Sequence, residues 1–351
     1  MPFEKDNTSL SQANNLSPWQ KEMLQRWQKT VAKTLPLSVK DELKEKFDGE
    51  VLFDEPMSRH TYIKIGGPAD VFLKPRSLEA VQMVMALAST NNLPVTFVGW
   101  GANTLVRDGG VRGIVISPFD TLKEYKLVQA TDDFIDIEAE AGLNFSRLIH
   151  FAKEHGASLA QFTGIPGSVG GLVAMNAGTR EREIKDVVRS VTFILKDGTL
   201  QEISREKLDF EYRQLKIPRT QYIAKVLFRV EKTASPEEID ADIKRALKRR
   251  QDMQPIELPN LGCMFKNPPA AKKGDPATSA GQLVEEAGLK NVRVGGARIS
   301  QKHGNFIVNE GTATAKDVVT LMGLIKDKIK TQTGIVLEAE VKVIGEELSH
   351  E

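Results

Sequence analysis

The chain has 351 residues and a single cysteine, Cys263, so no internal disulfide can staple it. That cysteine usage is expected of a reducing, cytosolic compartment. No stretch approaches the roughly 18 consecutive apolar residues that mark a membrane-spanning helix. The opening MPFEKDNTSLSQANN is polar and lacks the apolar core of a secretory leader, so neither a leader nor an anchor is expected. An excess of one charge is also missing, since 48 Lys and Arg face 47 Asp and Glu for a formal +1. Nothing in that balance asks for nucleic acid or a membrane surface, and a small-molecule partner is favoured. The five histidines, at 60, 150, 155, 303 and 350, include no pair at zinc-ligand spacing with a supporting cysteine or carboxylate, and no GxxxxGK[ST] occurs. No metal is expected, and a P-loop kinase or metallohydrolase is disfavoured.

Glycine, by contrast, is concentrated. The stretch TGIPGSVGGLVAMNAG (163–178) holds Gly164, Gly167, Gly170, Gly171 and Gly178, with Pro166 fixing one φ. Glycines this dense let a backbone approach a ligand closely, and their N–H groups can cradle phosphate oxygens. The plainer reading is a loop that packs a helix tightly on a strand. A second cluster, PVTFVGWGANTLVRDGG (94–110), starts as a strand and runs into Gly99 and Gly101. It imitates GxGxxG, but Thr104 stands where the third glycine belongs and no helical period follows, which disfavours a Rossmann domain.

The rest of the chain divides by texture. Residues 1–50 are polar and charged; Ser17-Pro18-Trp19-Gln20 reads as a helix start, and Met23, Leu24, Trp27 and Val31 give that arm one apolar stripe. An arm with one stripe is expected to add stability and no chemistry. Residues 58–75 read as strand, Gly66-Gly67-Pro68 turn and strand, and Ser77 caps a helix with Leu78, Val81, Met85 and Ala88 on one face. Strands are expected at 111–116, 134–139, 187–195 and 223–230, and a helix over 145–155 leads into the glycine stretch at 163–178. Ser235-Pro236-Glu237-Glu238 opens a helix to about Met253 whose outer face carries Lys244, Arg245, Lys248, Arg249 and Arg250, read as a solvated face. A short helix spans 279–289. A longer one, 314–333, is stopped by Gly334 and delivers a last strand, 335–344, with Glu338, Glu340 and Lys342 opposite its apolar face.

One more stretch invites chemistry. In NLGCMFKNPPA (260–270), Gly262 permits a tight turn that sets Cys263 near Lys266 and Asn267. A lone cysteine can be a small buried hydrophobe; in such a turn it can also be an exposed thiol with a pKa of about 8.5, mostly protonated and able to donate a proton.

Taken in order, RHTYIKIGGPAD (59–70), GWGANTLVRDGG (99–110), GIPGSVGGLVAMNAG (164–178), FEYR (210–213), GCMFKNP (262–268), SAGQLVEEAGLK (279–290), GGARISQKHGNFIVN (295–309) and LEAEVKVIGE (337–346) resemble bacterial UDP-N-acetylenolpyruvoylglucosamine reductases over residues 51–346. The resemblance implies an α+β fold: an FAD-binding domain of the vanillyl-alcohol-oxidase type over 51–233, in two subdomains of about 51–117 and 118–233, then an α+β substrate domain over 234–351. It implies a flavoenzyme of peptidoglycan precursor synthesis. NADPH would reduce FAD, and flavin N5 would pass hydride to the enolpyruvyl ether of UDP-N-acetylglucosamine, giving UDP-N-acetylmuramate.

By motif match, FAD would be held by Gly99, Gly101, Ala102, Asn103, Thr104 and Leu105, by Thr163, Gly164, Ile165, Pro166, Gly167, Ser168, Gly170 and Gly171, and by Asn176, Ala177 and Gly178. The catalytic set implied is Cys263 as proton donor with Arg213 and Glu340, and the substrate contacts are Tyr212, Lys266 and Asn267. FAD is expected to be non-covalent, because neither glycine loop carries a Cys or His nucleophile. A monomer in the bacterial cytoplasm is expected. Other flavin oxidoreductases of the same fold, or a non-catalytic nucleotide-sugar-binding module, are the alternatives. The chain departs from the family pattern at Trp100, where glycine is usual, at Thr104, where leucine is common, and at Leu215, where serine is usual.

Overall fold

The computed structural model describes residues 35–179, 182–218, 221–232, 234–269 and 278–348. The helix expected after Ser17 lies outside the described residues. In the first unit, helix α1 (Leu37–Lys46) precedes strands β1 (Gly49–Pro56) and β2 (Pro68–Pro75); helix α2 (Leu78–Thr90), strand β3 (Val95–Phe97), the short β4 (Thr104–Val106) and β5 (Val111–Ile116) follow. The sheet order is β1-β2-β5-β3. Strand β2 is buried on both faces, with Val71 and Leu73 in one core and Phe72 in another, as befits a central strand between antiparallel β1 and parallel β5.

Two expectations fail here. No hairpin spans 58–75: β2 pairs antiparallel with β1, from Gly49↔Pro75 to Pro56↔Pro68. The intervening Ile63 and Ile65, which suggest a strand by alternation, instead leave this sheet and bury themselves in the C-terminal core. The break at 50/51 falls inside β1, and Leu35, Val39 and Leu43 pack against Val71, Val81 and Ile114.

The second unit is an antiparallel sheet of β6 (Tyr125–Ala130), β7 (Phe134–Glu140), β12 (Gln221–Glu231), β8 (Val188–Leu195) and β9 (Leu200–Ser204), in that spatial order. Helices α3 (Phe145–Glu154), α4 (Val169–Ala174) and α5 (Pro236–Met253) complete it. Phe145 packs edge-on against Phe162 and Phe228. Edge strand β6 has every side chain exposed and β9 nearly so; without apolar alternation, no pattern announced them. Helix α5 begins with the expected box, Ser235 Oγ accepting from the Glu238 amide. Its Ile239 and Ile243 belong to this unit's core, so the core does not change at 233/234.

The third unit holds α6 (Ala280–Glu286), β13 (Arg293–Val294), β14 (Ala297–Ile299), β15 (Ile307–Asn309), α7 (Ala315–Thr333) and β16 (Lys342–Ile344). Gly334 ends α7 at φ +74°, the left-handed cap glycine supplies without strain. Strand pairing covers only 342–344 of the expected 335–344, and Ala339 makes an isolated bridge to Phe265. The alternation itself holds, with Leu337 and Val341 buried and Glu338 exposed. Strand β16 runs parallel to β4 in the register Lys342↔Thr104, which fastens the C-terminal unit to the first glycine segment.

Candidate active site

A cavity of about 500 Å³ opens where the three units meet, within the size range of small-molecule sites. Both glycine segments wall it. A Cβ on Gly99 would sit 2.7 Å from Ser168 Oγ, so the two segments face each other at a separation only glycine allows. Gly101 takes φ +66°, and a Cβ there would meet the His60 carbonyl oxygen at 2.3 Å. Trp100 lines the cavity too, its indole stacked on Phe119 at 5.3 Å and edge-on to Tyr62 at 5.7 Å.

Cys263, Arg213 and Glu340 come from distant segments and line this one cavity. The Met264 amide donates to the Asn305 carbonyl (2.9 Å), and the Glu340 amide donates to the Met264 carbonyl (2.9 Å). Those two bonds set Glu340 beside the Cys263 turn. Arg213 sits at φ +60° in the two-residue turn between β10 (Phe210–Glu211) and β11 (Gln214–Leu215). Its Nε lies 3.4 Å from Glu340 Oε1, its Nη1 lies 3.9 Å from Glu183 Oε1, and its guanidinium lies over the Tyr212 ring. Nη1 is buried without a hydrogen-bond partner.

Burial sets the protonation states. It raises the Glu340 carboxyl pKa, an effect that Arg213 and Lys266 partly offset. Cys263 is half-buried at the cavity wall. Its thiol is pushed up to about 12, first by burial and then by Glu340, against the opposing pull of Arg213 and Arg250. Of the two readings the sequence left open, a buried thiol and an exposed one of ordinary acidity, the raised pKa favours the first.

The expected residues divide. Gly99, Gly101, Ala102, Asn103 and Thr104 line the cavity, as do Ile165, Pro166, Gly167, Ser168, Gly170, Gly171, Ala177 and Gly178. Leu105, Thr163, Gly164, Asn176, Tyr212, Lys266 and Asn267 are outside its lining. Leu105 is buried in the C-terminal core, and Lys266 Nζ bonds Glu338 (2.7 Å). Asn267 Oδ1 accepts from the Ala280 amide (3.0 Å). Asn176 is fully buried and donates to Glu183 (3.1 Å) and to the Glu211 carbonyl (2.8 Å). Leu215, in place of the family's serine, packs in the second unit's core.

Sequence reasoning missed Arg250 and Lys342 as lining residues. Arg250 was read with the outer basic face of α5, but it turns inward beside Gly164, whose added Cβ would meet its Cδ at 2.8 Å. The other four cations of that face are exposed. Position 250 falls on the inner side of the helical period begun by Ile239 and Ile243, and that was the available signal.

This cavity suits a flavin nucleotide. Its two facing glycine segments admit close backbone approach, and apolar Val98, Ala141 and Ile223 offer surface to flat rings. Arg250 and Lys342 line it without a carboxylate partner among the described residues, leaving cations free for a diphosphate. Residues 69–204 match a family model described as an FAD binding domain. Fold and site thus define an FAD-binding flavoprotein. Residues 254–344 match the model for the C-terminal domain of UDP-N-acetylenolpyruvoylglucosamine reductase.

Among curated proteins, the UDP-N-acetylenolpyruvoylglucosamine reductase of Syntrophus aciditrophicus is 41% identical, over 88% of this chain and 96% of its own. That of Geobacter metallireducens is 39% identical over 87% and 97%. The crystal structure of the Thermus caldophilus enzyme superposes with a TM-score of 0.66 at 33% identity, covering 84% of this chain and 98% of that one. This chain belongs to the UDP-N-acetylenolpyruvoylglucosamine reductase family.

Proposed function

We propose that the chain reduces the enolpyruvyl ether of UDP-N-acetylglucosamine to UDP-N-acetylmuramate, using NADPH and FAD, and that Cys263, Arg213 and Glu340 carry the step. The convergence of those three residues on a cavity walled by both glycine segments supports this reading above all. FAD, once reduced, supplies the hydride that the vinyl carbon receives.

Hydride addition leaves negative charge on the neighbouring carbon and its carboxylate, and a dry cleft needs groups already aimed at that charge. Arg213 offers an unpaired Nη1 there. Glu340, whose carboxyl burial keeps protonated to higher pH than in water, donates a hydrogen bond to the same carboxylate. Cys263 then completes the addition. Its S–H bond breaks as the new C–H bond forms, and water reprotonates the strongly basic thiolate, with Arg213 and Arg250 tempering its charge.

FAD binds non-covalently, a reading supported by His60, the histidine nearest the first loop, being stacked on Phe72 and bonded to Glu55 (2.9 Å). We place the flavin domain at about 35–253, since α1 shares the first unit's core and α5 the second's, with the substrate domain following it. The molecule acts as a cytoplasmic monomer without nucleic-acid or membrane partners. In support, cations of the basic helix are paired, Arg245 with Asp242 and Lys248 with Asp252. No described helix is long and apolar enough to cross a membrane.

The visible spectrum tests the reading. Purified protein is expected to be yellow, to bleach with NADPH, to regain colour with the enolpyruvyl nucleotide sugar, and to release its flavin on acid precipitation. Bleached protein whose colour that substrate does not restore would refute it.

A further inference from the structure

Arg213 sits between two carboxylates, and only one has a place in the mechanism above. On the far side from Glu340 lies Glu183, on the segment that returns from the second glycine stretch. Gly178 and Glu183 form a bridge, and the Ile184 amide donates to the Ala177 carbonyl (2.8 Å), which brings Glu183 back beside Asn176. Asn176 is fully buried and uses both ends of its amide. Its Nδ2 donates to Glu183 Oε2 (3.1 Å) and to the Glu211 carbonyl (2.8 Å), while its Oδ1 accepts from the Lys185 amide (3.2 Å). One amide therefore ties the end of the glycine stretch, the Glu183 carboxylate and the hairpin carrying Arg213 into a single unit.

We propose that Glu183, held by Asn176, is a positioning residue for Arg213: it draws one edge of the guanidinium away from Glu340 and so keeps Nη1 open for the substrate's carboxylate. The distances show a divided attachment. Nε lies 3.4 Å from Glu340, Nη1 lies 3.9 Å from Glu183, and neither carboxylate grips the fork in the bidentate manner that planar guanidinium favours. The left-handed backbone at Arg213, uncommon for a side-chain-bearing residue, fixes the stem while the two carboxylates set the head. Lys185 Nζ shares the Glu183 carboxylate and weakens its hold on Arg213. This inference rests on the role given to Arg213.

Without the charge of Glu183, Arg213 closes on Glu340 with both edges and withdraws Nη1. Without Lys185, Glu183 pulls harder and Arg213 loosens from Glu340. The groups that act on Glu340 are Arg213 from the hairpin and Lys266 and Cys263 from the 261–267 turn. Of these, only the pairing with Arg213 changes, so the two variants shift the Glu340 titration in opposite directions, which general loosening of the fold would not do.

The test uses holoenzyme and stopped-flow absorbance of the flavin, each half-reaction separately. Glu183→Gln is expected to keep its flavin and to be reduced by NADPH within about two-fold of the parent, while re-oxidation by the enolpyruvyl substrate slows at least about tenfold. The alkaline limb of re-oxidation moves to lower pH in Glu183→Gln and to higher pH in Lys185→Met. If Glu183→Gln folds poorly, the Lys185→Met limb decides alone. Re-oxidation unchanged in Glu183→Gln, equal slowing of both half-reactions, or limbs that stay in place or move together would overturn the proposal. Arg213→Met run alongside separates the two readings: if it re-oxidises normally, the role of Arg213 falls as well; if it is slow while Glu183→Gln is normal, this inference falls alone.

Discussion

The side-chain amide of Asn103 donates to the backbone carbonyl of Glu340 at 3.2 Å. The first glycine segment thus holds the residue that faces Arg213, across 237 positions of sequence, and the Lys342 amide donates back to the Asn103 carbonyl (3.1 Å). Beside it, β16 pairs with β4, and Lys342 enters the same cavity. The loop at 99–105 and the charged residues at 340 and 342 are therefore placed together.

Cys263→Ala separates the half-reactions. NADPH oxidation needs no proton from this side chain, so flavin bleaching is expected within about two-fold of the parent. Re-oxidation is expected to fall about 10²- to 10⁴-fold, the usual cost of a lost general acid. Serine restores much of it. With the thiol held at about 12, iodoacetamide at pH 8 is expected to label Cys263 at least about tenfold more slowly than a free cysteine. Equal slowing of both half-reactions in the alanine variant would make the thiol structural.

Glu340→Gln tests the carboxyl as a donor. The folded pKa is raised, so the parent loses its donor proton as pH rises through that value, and re-oxidation declines on the alkaline side. Glutamine keeps a donor at every pH. The variant is expected to lose that alkaline limb and to retain more activity than Glu340→Ala; a limb unchanged in the glutamine variant assigns the titration elsewhere.

His303 links acid stability to the active-site turn. Its Nδ1 accepts from the Asn305 amide (3.1 Å), and Asn305 in turn bonds both backbone groups of Phe265 (2.9 and 2.8 Å). Burial lowers the His303 pKa below its ordinary 6.5, with Lys290 adding to the effect. The unfolded chain therefore binds this proton more readily. The stabilising contribution is full above pH 6.5 and is lost as pH falls through the lowered folded value. His303→Gln is expected to flatten the fall of Tm on acidification; an unchanged slope would exclude His303 as its source.

Deleting residues 1–50 is expected to unfold the protein. The deletion removes Leu35, Val39 and Leu43, which are 6%, 1% and 0% exposed. At roughly 2–3 kcal/mol for each buried side chain, about 6–9 kcal/mol is lost, which rivals the whole stability of a typical domain. Deleting residues 1–34 leaves these contacts in place, and flavin content by visible absorbance is expected to separate the two truncations. A yellow, active protein lacking 1–50 would show that α1 is dispensable.

Much of the fold was legible where local chemistry decides it. Helix α7 runs from the Thr314–Asp317 box to Gly334, and α2 starts where Ser77 accepts from the Ala80 amide (3.2 Å). Capping and a 3.6-residue period are properties of neighbouring residues, so the chain carries them openly. The glycine segments and the Cys263 turn were legible for the same reason, because each motif is short and contiguous.

Pairing was not legible. The apolar alternation of 58–65 suits a strand equally well, and only the competition between β1 and the C-terminal core for Ile63 and Ile65 settles where those residues go. Arg250 looked solvated because its neighbours are; the glycine at 164, far away in sequence, makes the space into which it turns. Asn176 looked like a cofactor contact within its motif, yet the return of the chain at Glu183 and the hairpin at Glu211 claim its amide. The thiol of Cys263 has ordinary acidity as an isolated residue, and burial beside Glu340 moves it. The sequence alone determined which residue types were present and how each short stretch would bend. The tertiary structure decided which side chains share a desolvated space, because burial and charge pairing depend on neighbours that sequence separation does not reveal.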